Sequence, residues 1–236
     1  MRRVDGRAPE QMRPVVLERH ANPFAEGSCL VRFGGTLVHC TASVEPGAPP
    51  FRKAEGKGWV TAEYAMLPRA TLERTRRERN GPGGRTQEIQ RLIGRSLRTA
   101  IADWEFGDYT IRIDCDVLMA DGGTRTASIT GGCVALVDAC RWLAERTGRP
   151  SPFGTLVAAV SVGLCGGVPM LDLAYTEDRD ADVDANVVMR APTDYVEVQG
   201  TGEQGVFSRP QFGQLLDLAE QGIASLFAAQ REALGL

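Results

Sequence analysis

The sequence has no apolar stretch long enough to span a membrane, and its Met1-Arg2-Arg3-Val4-Asp5-Gly6-Arg7 start carries no apolar h-region. Those absences leave out a transmembrane anchor and a cleaved secretory signal, and the expectation is a cytoplasmic protein with no membrane partner. Histidine is scarce. His20 and His39 each stand in a strand-like run without a partner motif, so neither is expected to act in catalysis. The six cysteines, Cys29, Cys40, Cys115, Cys133, Cys140 and Cys165, include no C-x-x-C pair. That spacing argues against a zinc site, and apolar neighbours such as Leu136 and Val137 make these cysteines small core residues in a reducing compartment. The Gly-Lys-Ser/Thr ending of a P-loop is also lacking, so no Walker-type nucleotide cradle is predicted.

What is present suits a folded, soluble chain. Hydrophobic residues make up 43% and charged residues 24% of 236 positions, an ordinary globular balance with enough length for a core without staples. A net charge of −3 taken alone speaks against a nucleic-acid binder, but the charges are unevenly placed. Arginine recurs at 69, 74, 76, 77, 79, 85, 91, 95 and 98, a stretch without lysine, whereas 177–184 reads EDRDADVD. A mildly acidic protein with one basic stripe can still steer a polyanion to that stripe.

Two apolar runs around Gly34-Gly35 read as a hairpin over 28–44, with the glycines supplying positive φ. Residues 45–58 read as a loop, 59–66 as a strand and 68–84 as a long charged loop, a length that is usually functional or disordered. The spacing then predicts a helix: Thr86 as N-cap, Glu88 in the first turn, and Ile89, Leu92, Ile93, Leu97, Ile101 and Trp104 as one apolar stripe. Strict alternation makes 109–119 a strand, followed by a glycine loop at 120–125 and a second helix to about Arg146. Strands are expected at 156–165, 168–175, 186–190 and 195–199, with a long amphipathic helix over 209–234. Strands grouped in hairpins with helices between the groups indicate an α+β fold of mixed sheets, and no linker divides residues 1–236 into two domains.

Three segments call for chemistry. Gly83-Gly84-Arg85 opens the first strong helix, where free backbone N–H groups and a planar guanidinium suit phosphate oxygens. Asp121-Gly122-Gly123-Thr124-Arg125 opens the second helix. Its glycines let a ligand approach the backbone, and Thr124, Ser128 and Arg125 offer hydroxyls and a second guanidinium. In the acidic run, Asp178 and Asp184 could gather around a hard cation such as Mg²⁺, although composition alone favours a solvated loop. Phosphate attacking a phosphodiester brings two anions together, and arginines for one with a divalent ion for the other would lower that barrier.

Certain segments resemble a known family. GRTQEIQRLIGRSLR (84–98), DCDV (114–117) and ADGGTRTASITG (120–131) resemble the hallmark segments of the ribonuclease PH family of phosphorolytic tRNA 3′-processing enzymes. GWVTAEY (58–64), MLPR (66–69), AAVSVG (158–163), NVVM (186–189) and EVQGT (197–201) extend the likeness in consistent order almost end to end. The resemblance implies a fold similar to the second domain of ribosomal protein S5. It implies phosphate held by Arg85, Gly123, Thr124 and Arg125, with Asp178 and Asp184 as the essential acidic pair, as cation ligands or in proton transfer. It also implies a homohexamer built as a trimer of dimers. Arg179 and Asp180 depart from the family's small or polar residues after Asp178, and the arginine-rich loop differs in detail.

The expected reaction is phosphate-dependent 3′-to-5′ trimming of RNA, including tRNA 3′ ends, to nucleoside 5′-diphosphates, with inorganic phosphate as co-substrate and Mg²⁺ or another divalent cation. Arg69, Arg74, Arg76 and Arg77 are expected to bind the RNA backbone. Two rivals come from other classes: a non-catalytic RNA-binding subunit of an exosome-like ring, and a small-molecule phosphotransferase. Retention of both arginines and both aspartates speaks against the first, and the missing ATP-type glycine loop against the second. Fold alone would not choose between them.

Overall fold

A computed structural model describes residues 3 and 5–236 of the chain. In chain order the elements are β1 (Val15–Arg19), β2 (Gly27–Phe33), β3 (Thr36–Pro46), α1 (Pro50–Lys53), β4 (Trp59–Met66), α2 (Gly84–Arg98) and β5 (Tyr109–Met119). They continue with α3 (Thr124–Thr147), β6 (Val157–Cys165), β7 (Val168–Leu171), α4 (Tyr175–Arg179), β8 (Val183–Arg190), β9 (Asp194–Gly202) and α5 (Arg209–Leu234). The strands form a five-stranded sheet in the order β1-β2-β3-β5-β4 and a four-stranded sheet in the order β7-β6-β8-β9. Every pairing is antiparallel except β4 with β5. This is the α+β arrangement that grouped hairpins lead one to expect.

Helix α3 lies between the sheets, touching β2, β3 and β5 on one side and β6 on the other. It is buried without a break from Thr126 to Cys140, so it has no solvated face over that span. Its approach to the first sheet depends on residues without side chains. A Cβ at Gly27 would stand 2.0 Å from the carbonyl oxygen of Ala135, and one at Gly131 would stand 2.4 Å from Val31 Cγ1. One hydrophobic cluster then runs from Val31 and Ile113 through Ile129 to Val160, Val187 and Ile223. All six cysteines are buried with free thiols.

Several boundaries differ from those read in the sequence. β1 is an added strand, five residues with half-buried alternation, too short to stand out. In the 34–35 turn only Gly34 takes positive φ. The cap of α2 is Gly83, because the Thr86 hydroxyl donates to Glu78 Oε1 at 3.0 Å. The same helix stops at Arg98, where Thr99 Oγ1 donates to the Ser96 carbonyl at 2.6 Å, leaving Ile101 to pair with Phe153. Strand β7 ends at Leu171, four residues short of the expected end, since Asp172 turns the chain with φ +53°, and a short helix, α4, stands at the start of the acidic run expected to be a loop. Strand β8 begins at Val183, so Asp184 is a strand residue and not a loop residue.

We propose that the chain folds as one unit, on the ground that its largest core cluster draws on both sheets. Gly27→Ala should then destabilise by about 1–3 kcal/mol, the range for forcing an atom into a packed core. Fluorescence of Trp59 and Trp104 beside the first sheet and far-UV circular dichroism of the whole chain should shift together in denaturant. Two separated transitions would show two units.

Candidate active site

Both glycine-to-helix junctions and both aspartates open onto one cavity of about 440 Å³. Its wall includes Arg85 from the first turn of α2, Gly122, Gly123, Thr124 and Arg125 from the start of α3, Asp178 from α4 and Asp184 from β8. The six residues singled out for phosphate and cation chemistry therefore converge, although they span a hundred positions of sequence.

The start of α3 is set by two successive left-handed residues, Gly122 at φ +74° and Gly123 at φ +66°. Gly123 is the N-cap and offers no side chain, so the first N–H groups of the helix are free to face an anion. Thr124 Oγ1 pairs with the Tyr64 hydroxyl at 2.9 Å. Arg125 is loosely steadied by Glu88 at 3.4 Å and by Gln199 Oε1 at 3.3 Å, whereas Arg85 is exposed and makes no ion pair among the described residues. Ser128 is a correction: it is fully buried and donates to the Thr124 carbonyl at 2.8 Å, taking no part in the wall.

The carboxylates are electrostatically costly. Burial, helped by the charges of Asp178 and Glu203, pushes Asp184 up to about 7, with Arg125 and Arg85 pulling the other way. Asp178 is also raised, by burial first and by Glu203 next, against the same arginines and Arg13. Asp184 Oδ1 is buried and has no hydrogen-bond partner among the described residues. Such an orphaned oxygen beside a second carboxylate fits a hard divalent cation. No group of three or more His, Cys, Asp or Glu residues converges as a metal site among the described residues. Mg²⁺ is an ion held by one or two carboxylates, with water and phosphate in its remaining places.

The arginine stripe divides. Arg76 and Arg77, with Arg79 and Arg85, line a second and larger groove of about 820 Å³ that runs beside residues 61–66 of β4. Arg69 and Arg74 are exposed but belong to the wall of neither cavity, and none of the four has an ion-pair partner among the described residues. Arg85 lines both cavities.

Some of the wall was not read from the sequence. Ser161 and Asn186 reach the cavity from β6 and β8, and Gln199, Thr201 and Glu203 from β9 and the turn after it. A polar residue inside an apolar strand, as in AAVSVG and NVVM, is the signal that could have found the first two. Behind the wall, Arg13 and Asp172 form a buried pair at 2.7 Å that touches the 121–122 backbone. Arg3, equally buried, donates to both carboxylate oxygens of Glu177, the neighbour of Asp178, at 2.7 and 2.6 Å.

A cavity with guanidinium groups and free N–H groups on one side and paired carboxylates on the other defines a site for phosphoryl chemistry on a polyanion. Residues 11–141 match the model of the 3′ exoribonuclease family, domain 1, and residues 155–222 that of domain 2. The ribonuclease PH proteins of Corynebacterium glutamicum (strain R) and Corynebacterium efficiens are 57% and 56% identical to the chain over 237 aligned positions, covering 99% of it and 97% of each relative. Among solved structures, the Archaeoglobus fulgidus exosome with RNA bound to the active site has a chain matching with a TM-score of 0.81 at 23% identity, covering 95% of this chain and 91% of that one. Rice Rrp46 matches with a TM-score of 0.79 at 21% identity, covering 98% and 100%. These two likenesses concern the fold alone. The chain belongs to the ribonuclease PH family of 3′ exoribonucleases. It is a phosphorolytic exoribonuclease.

The buried acid has a stability consequence. In metal-free buffer Asp184 titrates near 7 in the folded chain and near 3.8 when unfolded, so between those limits the folded state holds the extra proton. Stability from this group therefore falls as pH rises through that window. Asp178 and Glu203 face the group as acids, and Arg125 and Arg85 as bases. Asp184→Asn should melt higher than wild type above the folded pKa, and the difference should vanish near the unfolded value. A variant that melts lower at high pH would mean that the charge is already compensated.

Proposed function

We propose that inorganic phosphate binds between Arg85 and the Gly123-Thr124-Arg125 turn, and that Asp178 and Asp184 hold Mg²⁺ beside it. The supporting observation is the convergence of these six residues on one cavity. Guanidinium forks bind phosphate oxygens in pairs, and the N–H groups at the start of α3 add donors that need no reorganisation. The cation, when bound, would neutralise charge on the phosphate oxygens. A phosphate oxygen then attacks the last phosphodiester of the RNA, the bond to the preceding 3′-oxygen breaks, and that oxygen takes a proton. The products are RNA one residue shorter and a nucleoside 5′-diphosphate. A second reading makes Asp184 the donor of that proton, favoured by its elevated pKa of about 7. An Asp184→Asn protein that still binds Mg²⁺ would select it.

The substrates we propose are RNA with single-stranded 3′ ends, tRNA precursors among them, handled in the cytoplasm. Among the described residues no helix is long and apolar enough to cross a membrane. A homohexameric trimer of dimers is our proposal for the assembly, and Phe24, Leu72 and Val206, the most exposed large apolar side chains among the described residues, are candidates for burial in such contacts. Arg69, Arg74, Arg76 and Arg77 guide the RNA backbone toward the cavity without reading sequence.

Arg85→Lys and Arg125→Lys should each lower catalytic efficiency toward phosphate on the order of ~10²-fold, since an ammonium keeps the charge but loses the fork. Asp178→Asn should cut turnover far more than RNA affinity. Phosphorolysis keeps the bond energy in the diphosphate, so the same preparation should lengthen RNA when given nucleoside diphosphates at low phosphate. Normal phosphate dependence in both lysine variants would remove the two arginines from the site.

Neutralising Arg74, Arg76 and Arg77 together should flatten the dependence of RNA affinity on salt. An unchanged slope would assign the stripe to contacts between subunits.

A further inference from the structure

The phosphate turn is held from behind. The carbonyl oxygens of Asp121 and Gly122 are each held by a donor that is not part of the cavity wall. Arg13 Nη1 donates to the Asp121 carbonyl, Arg13 Nη2 lies 3.5 Å from that of Gly122, and Thr36 Oγ1 donates to Gly122 at 2.6 Å while accepting from the Asp121 N–H at 2.9 Å. The other edge of the Arg13 guanidinium is taken by Asp172, with Nε at 2.9 Å from Oδ2 and Nη2 at 2.7 Å from Oδ1. The backbone N–H of Arg13 adds a third bond to that carboxylate at 2.8 Å. Both side chains are buried, at 4% and 1% exposure, so this charge pair is shielded from competing water.

Asp172 is itself a fixed point. It adopts φ +53°, unusual for a residue with a side chain, and its N–H donates to the Ser161 carbonyl at 2.7 Å. Leu173 follows with a bond to Ser161 Oγ at 3.1 Å, and α4, which carries Asp178, begins two residues later. The two segments also touch directly: a Cβ on Gly122 would come within 2.5 Å of the Leu173 carbonyl oxygen.

We propose that the Arg13–Asp172 pair is the positioning device of the site, locking the phosphate turn and the corner that leads into Asp178 into one register so that the α3 N–H groups face the bound anion. The planar fork is needed because one edge must hold a carboxylate while the other holds carbonyl oxygens, which an ammonium cannot do together. Thr36 is its partner from the first sheet. This inference rests on the reading that phosphate binds at Gly123–Arg125.

The test is the rate of nucleoside diphosphate release as a function of phosphate concentration for Arg13→Lys and Thr36→Val, with Arg125→Lys beside them. RNA affinity without phosphate and the melting temperature are measured on the same preparations. The KM for phosphate should rise roughly tenfold to a hundredfold in Arg13→Lys, and in the same direction in Thr36→Val, as for other displaced supporting groups. The kcat at saturating phosphate should change much less, and RNA affinity should hold. A merely structural role would lower the rate with the folded fraction and leave the KM for phosphate unmoved. That result in the folded variants, with the KM raised in Arg125→Lys, overturns the positioning role and leaves the phosphate site standing. An unmoved KM in Arg125→Lys as well overturns both. Should Arg13→Lys fail to fold, Thr36→Val decides alone, because a Thr-to-Val exchange keeps the shape and removes only the two hydrogen bonds.

Discussion

Contact between the backbone of α3 and the first sheet sets the rest of the molecule. Where Gly27 meets Ala135 and Gly131 meets Val31 there is no room for a methyl group, so the helix has one position against that sheet. The second sheet and α5 close over its other side. A helix gripped from Thr126 to Cys140 has little freedom at its start, which is the Gly122–Gly123 turn. The direction in which the free N–H groups of the site point thus follows from packing remote from the cavity, completed by the Arg13–Asp172 pair behind the turn. Electrostatic preorganisation here is an outcome of close packing.

The second sheet contributes the opposite charge, at some expense in stability. Asp178 and Asp184 both sit where burial disfavours their ionised forms, and a buried oxygen of Asp184 has no donor among the described residues. A chain selected for stability alone would not place two acids there. The arrangement is offset nearby, where Arg3 and Glu177 form a buried ion pair and Arg13 holds Asp172. Charge is thus paired just outside the cavity and left exposed to a ligand within it. The two arginines on the facing wall reduce the cost without removing it, and a bound cation would complete the balance.

Much of this was legible in the sequence because periodicity survives tertiary context. The strand at 109–119 and the helix at 209–234 have the bounds that alternation and an amphipathic stripe gave them. Arg85, Gly123, Thr124, Arg125, Asp178 and Asp184 stood out as charged or glycine-bearing junctions, and all six reach the cavity. What stayed hidden depends on contacts distant in sequence. Thr86 looked like a cap until Glu78 claimed its hydroxyl. Asp172 gave no sign of a left-handed turn, so the strand was expected to run past it to 175 and α4 was not foreseen. Arg13 is one arginine among many in the sequence, and only its burial against Asp172, across 159 positions, gives it meaning.

Strand β4 is one of the two outer strands of the five-stranded sheet, and the groove of about 820 Å³ runs along it beside the loop that carries Arg76, Arg77 and Arg79. An uncovered outer strand offers a row of unpaired backbone groups, which is an invitation to stray strands and a seed for aggregates. The arginine loop stands beside that row and places more guanidinium than carboxylate charge around it, so another copy of the same edge meets like charge. The same few guanidinium groups that line the groove are in this way guards of the sheet edge. Trimming the loop would bare that edge, and the shortened protein would be harder to keep in solution.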